Sequence, residues 1–170
     1  MIAAIIFVVF PFAMIYAALS DVLTMTIANR VSVMLIGGFL IVAPFIGITF
    51  TDFLWHVGAF ALVLGITFGL FAAGVMGGGD AKLMSSTALW IGFNMHLMEY
   101  AIAFTVVGGL VTLFLLVLRN SAFATYVGEV RVLWRMLDEK DIPYGVALAA
   151  GGLYVFPETA ALQYAIAQML

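Results

Sequence analysis

The chain contains no cysteine, which excludes disulfide staples, thiolate nucleophiles and every zinc or iron–sulfur site built on cysteine. Charge is almost as scarce: 9% of the 170 residues are charged, six Lys and Arg against nine Asp and Glu, for a formal net charge of −3. So few basic residues cannot neutralise a track of phosphates, and a nucleic-acid surface is excluded. There are only two histidines, His56 and His96. They are far apart in sequence and read as interfacial side chains, not as ligands or bases. No cofactor and no metal is expected.

What the chain has in abundance is apolar surface. Its hydrophobic content is 66%, far above the roughly 45–50% of an ordinary soluble domain. The expected fold is all-α: a polytopic membrane helical bundle forming one integral membrane domain over residues 1–170, with lipids as its surroundings. Apolar runs at about 2–19, 31–50, 53–75, 81–98, 100–118 and 142–157 predict about six transmembrane helices. The first run lacks a basic leader segment and ends in Ser20-Asp21 without a cleavage site, so it reads as a retained helix. The fourth begins with Lys82, Ser85, Ser86 and Thr87, which are expected to face protein or water.

The basic residues set an orientation. Arg30 follows the first span, Lys82 the third, and Arg119, Arg131, Arg135 and Lys140 the fifth. Because Lys and Arg accumulate on the cytoplasmic side, these loops are expected in the cytoplasm and both termini outside. Within the last loop Phe123, Tyr126, Val127, Val130, Leu133, Trp134 and Leu137 recur every three or four residues. They predict an amphipathic helix lying in the cytoplasmic interface.

Ionised carboxylates are costly near hydrocarbon, so each acid needs an account. Asp52, Glu99 and Glu158 fall on the outer side, and Glu129, Asp138, Glu139 and Asp141 lie in the amphipathic loop. All seven read as solvated surface charge. Asp21 and Asp80 remain. Asp21 ends the first span and Asp80 closes Gly77-Gly78-Gly79-Asp80 after the third, so the topology puts both at one face and one depth. Either alone reads as a helix cap; together they suit an acid pair. Two neighbouring carboxyls share one proton and titrate as a unit, so that one takes a proton from the attacking water while the other, protonated, polarises the carbonyl and later helps protonate the leaving amine. The glycines beside Asp80 are expected to supply backbone conformations closed to other residues and close access for an extended substrate.

These residues resemble a known family, the type IV prepilin peptidases and archaeal preflagellin peptidases, which are membrane aspartyl proteases with a G-x-G-D motif. The resemblance rests on Ser20-Asp21 with Ile27 and Asn29, on Gly77-Gly78-Gly79-Asp80-Ala81-Lys82-Leu83, and on Ile142-Pro143-Tyr144-Gly145. Ala28 departs from it, standing where the family often has proline. It implies Asp21 and Asp80 as the catalytic pair, Gly77, Gly78 and Gly79 as the catalytic loop, and Lys82, Asn29 and Tyr144 as site neighbours. Lys82 also reads as a positive-inside anchor, Asn29 as a helix cap and Tyr144 as an interfacial aromatic. The implied partner is a prepilin or pseudopilin, cut at the cytoplasmic face between its short basic N-terminal leader and its apolar segment. The chain lacks the cysteine-bearing insertion of the large bifunctional enzymes and is similar to the short form associated with Flp-type, tight-adherence pili, so methyltransferase activity is not implied. Two other classes stay open: a non-catalytic membrane scaffold of a pilus or secretion assembly, and a small proton-coupled transporter. Against transport, the other half of the chain has no matching broken segment and both acids lie at one face, not at midplane.

Overall fold

A computed structural model of the protein describes residues 2–119 and 142–169. The amphipathic segment around 123–137 lies outside the described residues. Helices run over α1 (Ile2–Thr24), α2 (Asn29–Val42), α3 (Phe50–Ala72), α4 (Gly78–Ile91), α5 (Met95–Arg119), α6 (Tyr144–Val155) and α7 (Ala160–Ala167), and there is no strand among the described residues. This is a multi-pass membrane protein: α1, α3 and α5 are each long and apolar enough to cross a bilayer, and α6 with α7 makes a fourth crossing if taken as one bent span.

The difference from six expected spans comes from two short helices. At 1.5 Å per residue the 14 residues of α2 and of α4 each reach only about 21 Å, against a hydrocarbon core of about 30 Å. The apolar run at 81–98 is cut where Gly92 takes φ +83°, so α4 stops at Ile91 and α5 begins four residues later, at Met95. The final run is likewise broken, because Pro157 lies in a short 3-10 turn and Thr159 caps a new helix, bending the pair by 49°.

The core is aromatic and joins four helices. Phe10 of α1 stacks on Phe156 with ring centroids 4.5 Å apart and tilts against Trp90 of α4 at 5.3 Å. The Trp90 indole N–H donates to the Leu35 carbonyl of α2 at 2.9 Å, satisfying its one polar atom in the interior. A Cβ on Gly38 would meet Val9 Cγ1 at 2.7 Å, so α2 approaches α1 closely at that point. Around this centre α3 packs on α4 and α5 packs on α6, leaving broad apolar faces outward, as a lipid-facing surface requires. The hydroxyls of α4 do not need water: Ser85, Ser86 and Thr87 donate to Ala81, Lys82 and Leu83 carbonyls at 2.6, 2.8 and 2.8 Å.

His56 departs from its sequence reading. It is buried, and its Nδ1 donates to the Leu89 carbonyl at 2.8 Å, closing the C-terminal end of α4 from α3. The reading of Asp52 as simple surface charge is refined too: it forms a capping box with Thr49 at the start of α3. His96 remains part-exposed, paired with Glu99 at 2.9 Å.

Candidate active site

The end of the bundle opposite Asp52 and His56 is built from three chain segments. The first is the exit of α1. Five residues beyond the expected end of the span, α1 stops at Thr24, with Asp21 inside its last turn and not at the start of a new helix. Met25 then turns into the left-handed region at φ +52° while its N–H still bonds the Asp21 carbonyl at 2.8 Å. The following loop is held by Ser20 Oγ, which donates to the Thr26 carbonyl at 2.8 Å.

The second segment is the α3–α4 connection. Here the left-handed residue is Gly74, at φ +72°, with Gly74 N–H on Phe71 and Val75 N–H on Leu70, both at 2.9 Å. This is a Schellman closure of α3. Gly77, Gly78 and Gly79 are not at positive φ; the expectation that they supply unusual backbone conformations is corrected. Gly77 is the N-cap of α4 and the next two glycines form its first turn. Their small size matters instead. A Cβ on Gly77 would stand 2.8 Å from Asp80 Oδ2, one on Gly78 would meet the Phe71 ring at 3.2 Å, and one on Gly79 would meet Ile27 at 3.1 Å.

The third segment is the start of α6. Its N-cap is Pro143, which offers no side-chain cap, so the first N–H groups need partners from elsewhere. Asp21 supplies one: Gly145 N–H donates to its Oδ2 at 2.6 Å across 124 residues of sequence. The carboxylate is buried and its orientation is fixed by that bond.

These segments enclose a cleft of about 540 Å³. Both Asp21 and Asp80 line it. The rest of the lining is mainly apolar, including Met25, Met76, Met84, Phe104 and Leu148, with Tyr144 and Thr105 as its other polar side chains. Of the expected neighbours, Tyr144 is therefore in the cleft. Lys82 and Asn29 are not among its lining residues; they bond each other, Nζ to Oδ1 at 2.8 Å, tying α4 to the first turn of α2. Sequence reasoning missed Met84, Phe104 and Leu148, because an apolar residue in an apolar helix carries no mark of facing a cleft. It also missed the role of the Gly145 N–H, although Pro143 followed by Gly145 at a helix start was a visible sign of unsatisfied donors. Tyr100 is a further buried polar group near this site. Its ring packs on Phe104 of the cleft wall, with centroids 5.2 Å apart.

Among the described residues no three His, Asp or Glu side chains converge as a metal-binding group. The arrangement offers two carboxyls at the edge of an apolar cleft, the composition that acid–base hydrolysis of an apolar chain needs. Compared with known proteins, residues 8–125 match the type IV leader peptidase family, a stretch that includes both acids and the glycine turn. Neither a curated protein nor a solved structure matches the chain.

Proposed function

The chain belongs to the type IV leader peptidase family, a family of proteases, and from that premise we propose that it is an intramembrane aspartyl endopeptidase using Asp21 and Asp80 as its catalytic pair. One observation carries this reading: two acids fifty-nine residues apart in sequence line one cleft. One carboxylate takes a proton from water as it attacks the scissile carbonyl. The other, protonated, polarises that carbonyl and then protonates the leaving amine. Asp21 enters the reaction with its side chain already oriented by Gly145, which limits the reorganisation needed to reach the attacking geometry.

The substrate class follows from family and cleft together. A prepilin-like chain has a short basic leader and an apolar helix, and the methionine-lined part of the cleft suits apolar side chains of varied shape. Arg30 and Lys82 lie close to the acid-bearing end in sequence; by the positive-inside rule that end faces the cytoplasm, where the leader would be removed. In this topology α2 and α4 complete six crossings in spite of their length, α4 packed among α2, α3 and α6. The inner membrane of a bacterium and an Flp-type pilin are the setting that the short form suggests.

Co-expression with a prepilin carrying its leader tests the proposal. Wild type is expected to shift the prepilin to its shorter form. Asp21→Asn and Asp80→Asn should each abolish the shift while inserting into the membrane normally, and cleavage by either variant would defeat the pair. Activity is also expected to be bell-shaped in pH, since only the singly protonated pair has both a base and an acid. It should persist in chelator, and a chelator-sensitive rate would overturn the metal-free mechanism.

A further inference from the structure

Between the two acid-bearing segments lies one side chain that the mechanism above does not use. Ile27 is 9% exposed, in the loop between α1 and α2. On one side it meets Gly79, the residue before Asp80: a Cβ there would stand 3.1 Å from Ile27 Cβ and 3.3 Å from its backbone N and O. On the other side it meets Gly145, the donor to Asp21, where a Cβ would stand 3.0 Å from Ile27 Cδ1 and 2.8 Å from both Cβ and Oδ2 of Asp21. Ile27 is thus a spacer with a glycine against each flank, and each glycine belongs to the element that holds one acid.

The loop that carries the spacer is itself fixed. Ser20 and Thr24 hydroxyls both donate to the Thr26 carbonyl, at 2.8 and 3.2 Å. One residue past Ala28, Asn29 is bonded to Lys82 of α4 at 2.8 Å. The α1–α2 loop is therefore tied to α4 by a polar bond and to α6 by packing.

We infer that Ile27 and Gly145 are positioning residues that set how far apart the Asp21 and Asp80 carboxyls stand, Gly145 by holding Asp21 and Ile27 by fixing the spacing between the start of α6 and the glycine turn of α4. The inference rests on the reading of Asp21 and Asp80 as a catalytic pair. Its physical content is that catalytic groups lose rate steeply with displacement, about a hundredfold for a 1 Å misplacement. The cleft walls that hold the substrate, Met84 and Phe104 among them, are on other residues.

The test is steady-state cleavage of a prepilin by the full chain in detergent or vesicles, with thermal unfolding recorded on the same samples. Gly145→Ala should lower kcat by about a hundredfold and leave KM near its wild-type value, because the substrate walls are untouched. Ile27→Val keeps the branched Cβ that faces Gly79 and removes the Cδ1 that faces Gly145. Added to Gly145→Ala it should restore part of the lost kcat, because the space left by Cδ1 lets the new methyl move away from Asp21. Added to Gly79→Ala it should restore nothing, since that methyl meets Ile27 Cβ and backbone. Side-specific rescue is not what a general packing role gives. Wild-type kcat in Gly145→Ala, loss shared with KM and unfolding temperature, or rescue of both glycine variants alike would each overturn the spacer. If wild type does not cleave, or Asp21→Asn does, the underlying protease reading fails as well. With those two controls as expected, any of the three contrary results strikes the spacer alone.

Discussion

At Ala28, where the sequence resemblance leads one to expect proline, the backbone has a proline's shape. Its φ is −66° and ψ is 136°, it precedes the first turn of α2, and its carbonyl accepts from Val31 N–H. Proline fixes φ near −65° and is at home at the entry to a helix. Ala28→Pro is therefore expected to be tolerated and to raise stability by about 0.4–1 kcal/mol through the unfolded chain, measured as a higher unfolding temperature with cleavage retained. A loss of stability would mean that the loop needs a conformation proline denies it. The same scale shows why glycine types cannot be told apart in sequence. Gly74, with φ +72° and nothing within 4 Å of a built Cβ, is needed for its conformation, whereas Gly79 and Gly145 are needed for their size. Gly-Gly-Gly-Asp announces a special turn, but which neighbours crowd it is decided by Ile27 and Phe71, from elsewhere in the chain.

Helices have the same division between what local pattern shows and what packing decides. The long apolar stretches of α1, α3 and α5 were legible, because twenty or so apolar residues have few soluble uses. Their ends were not. Asp21 reads as a residue after a helix, since a charge normally ends an apolar run, yet α1 continues through it to Thr24 because the start of α6 provides a donor for the carboxylate. The stop of α4 depends on His56, whose ring would lie 2.9–3.1 Å from any Cβ at Gly92; a contact across thirty-odd residues has no periodic signature. Element ends also give a clean stability experiment. Gly74→Ala forces a methyl into the left-handed cap of α3 without a steric clash, and should cost about 1 kcal/mol. The expected result is a lower unfolding temperature with little change in cleavage. A large loss of cleavage at unchanged stability would show that the α3 cap participates in the site.

At the scale of the whole molecule the acids were legible as a pair because hydrophobic surroundings make carboxylates rare enough to question one by one. Their meeting in one cleft was not, since it depends on how α6 packs against both α1 and α4. The orientation and the passage of short α4 through the membrane are open to a direct experiment, because a chain without cysteine makes every engineered thiol unique. In the proposed topology Ala73→Cys, at the end of α3, lies on the cytoplasmic side, and Met95→Cys, at the start of α5, lies outside. A membrane-impermeant maleimide added to intact cells should label Met95→Cys at once and Ala73→Cys only after permeabilisation. Labelling of both from one side would mean that α3 and α5 are joined without a crossing by α4.

The central claim is that one chain carries both acids of one active site. Its most direct test is cleavage of a leader-bearing peptide by purified, reconstituted protein, with the products weighed by mass spectrometry, for wild type, Asp21→Asn, Asp80→Asn and an equimolar mixture of the two variants. Wild type should cut once, between the basic leader and the apolar segment, and neither variant nor their mixture should cut at all. Cleavage by a single variant would contradict the pair, and cleavage by the mixture alone would move the active site from the cleft within one chain to an interface between two.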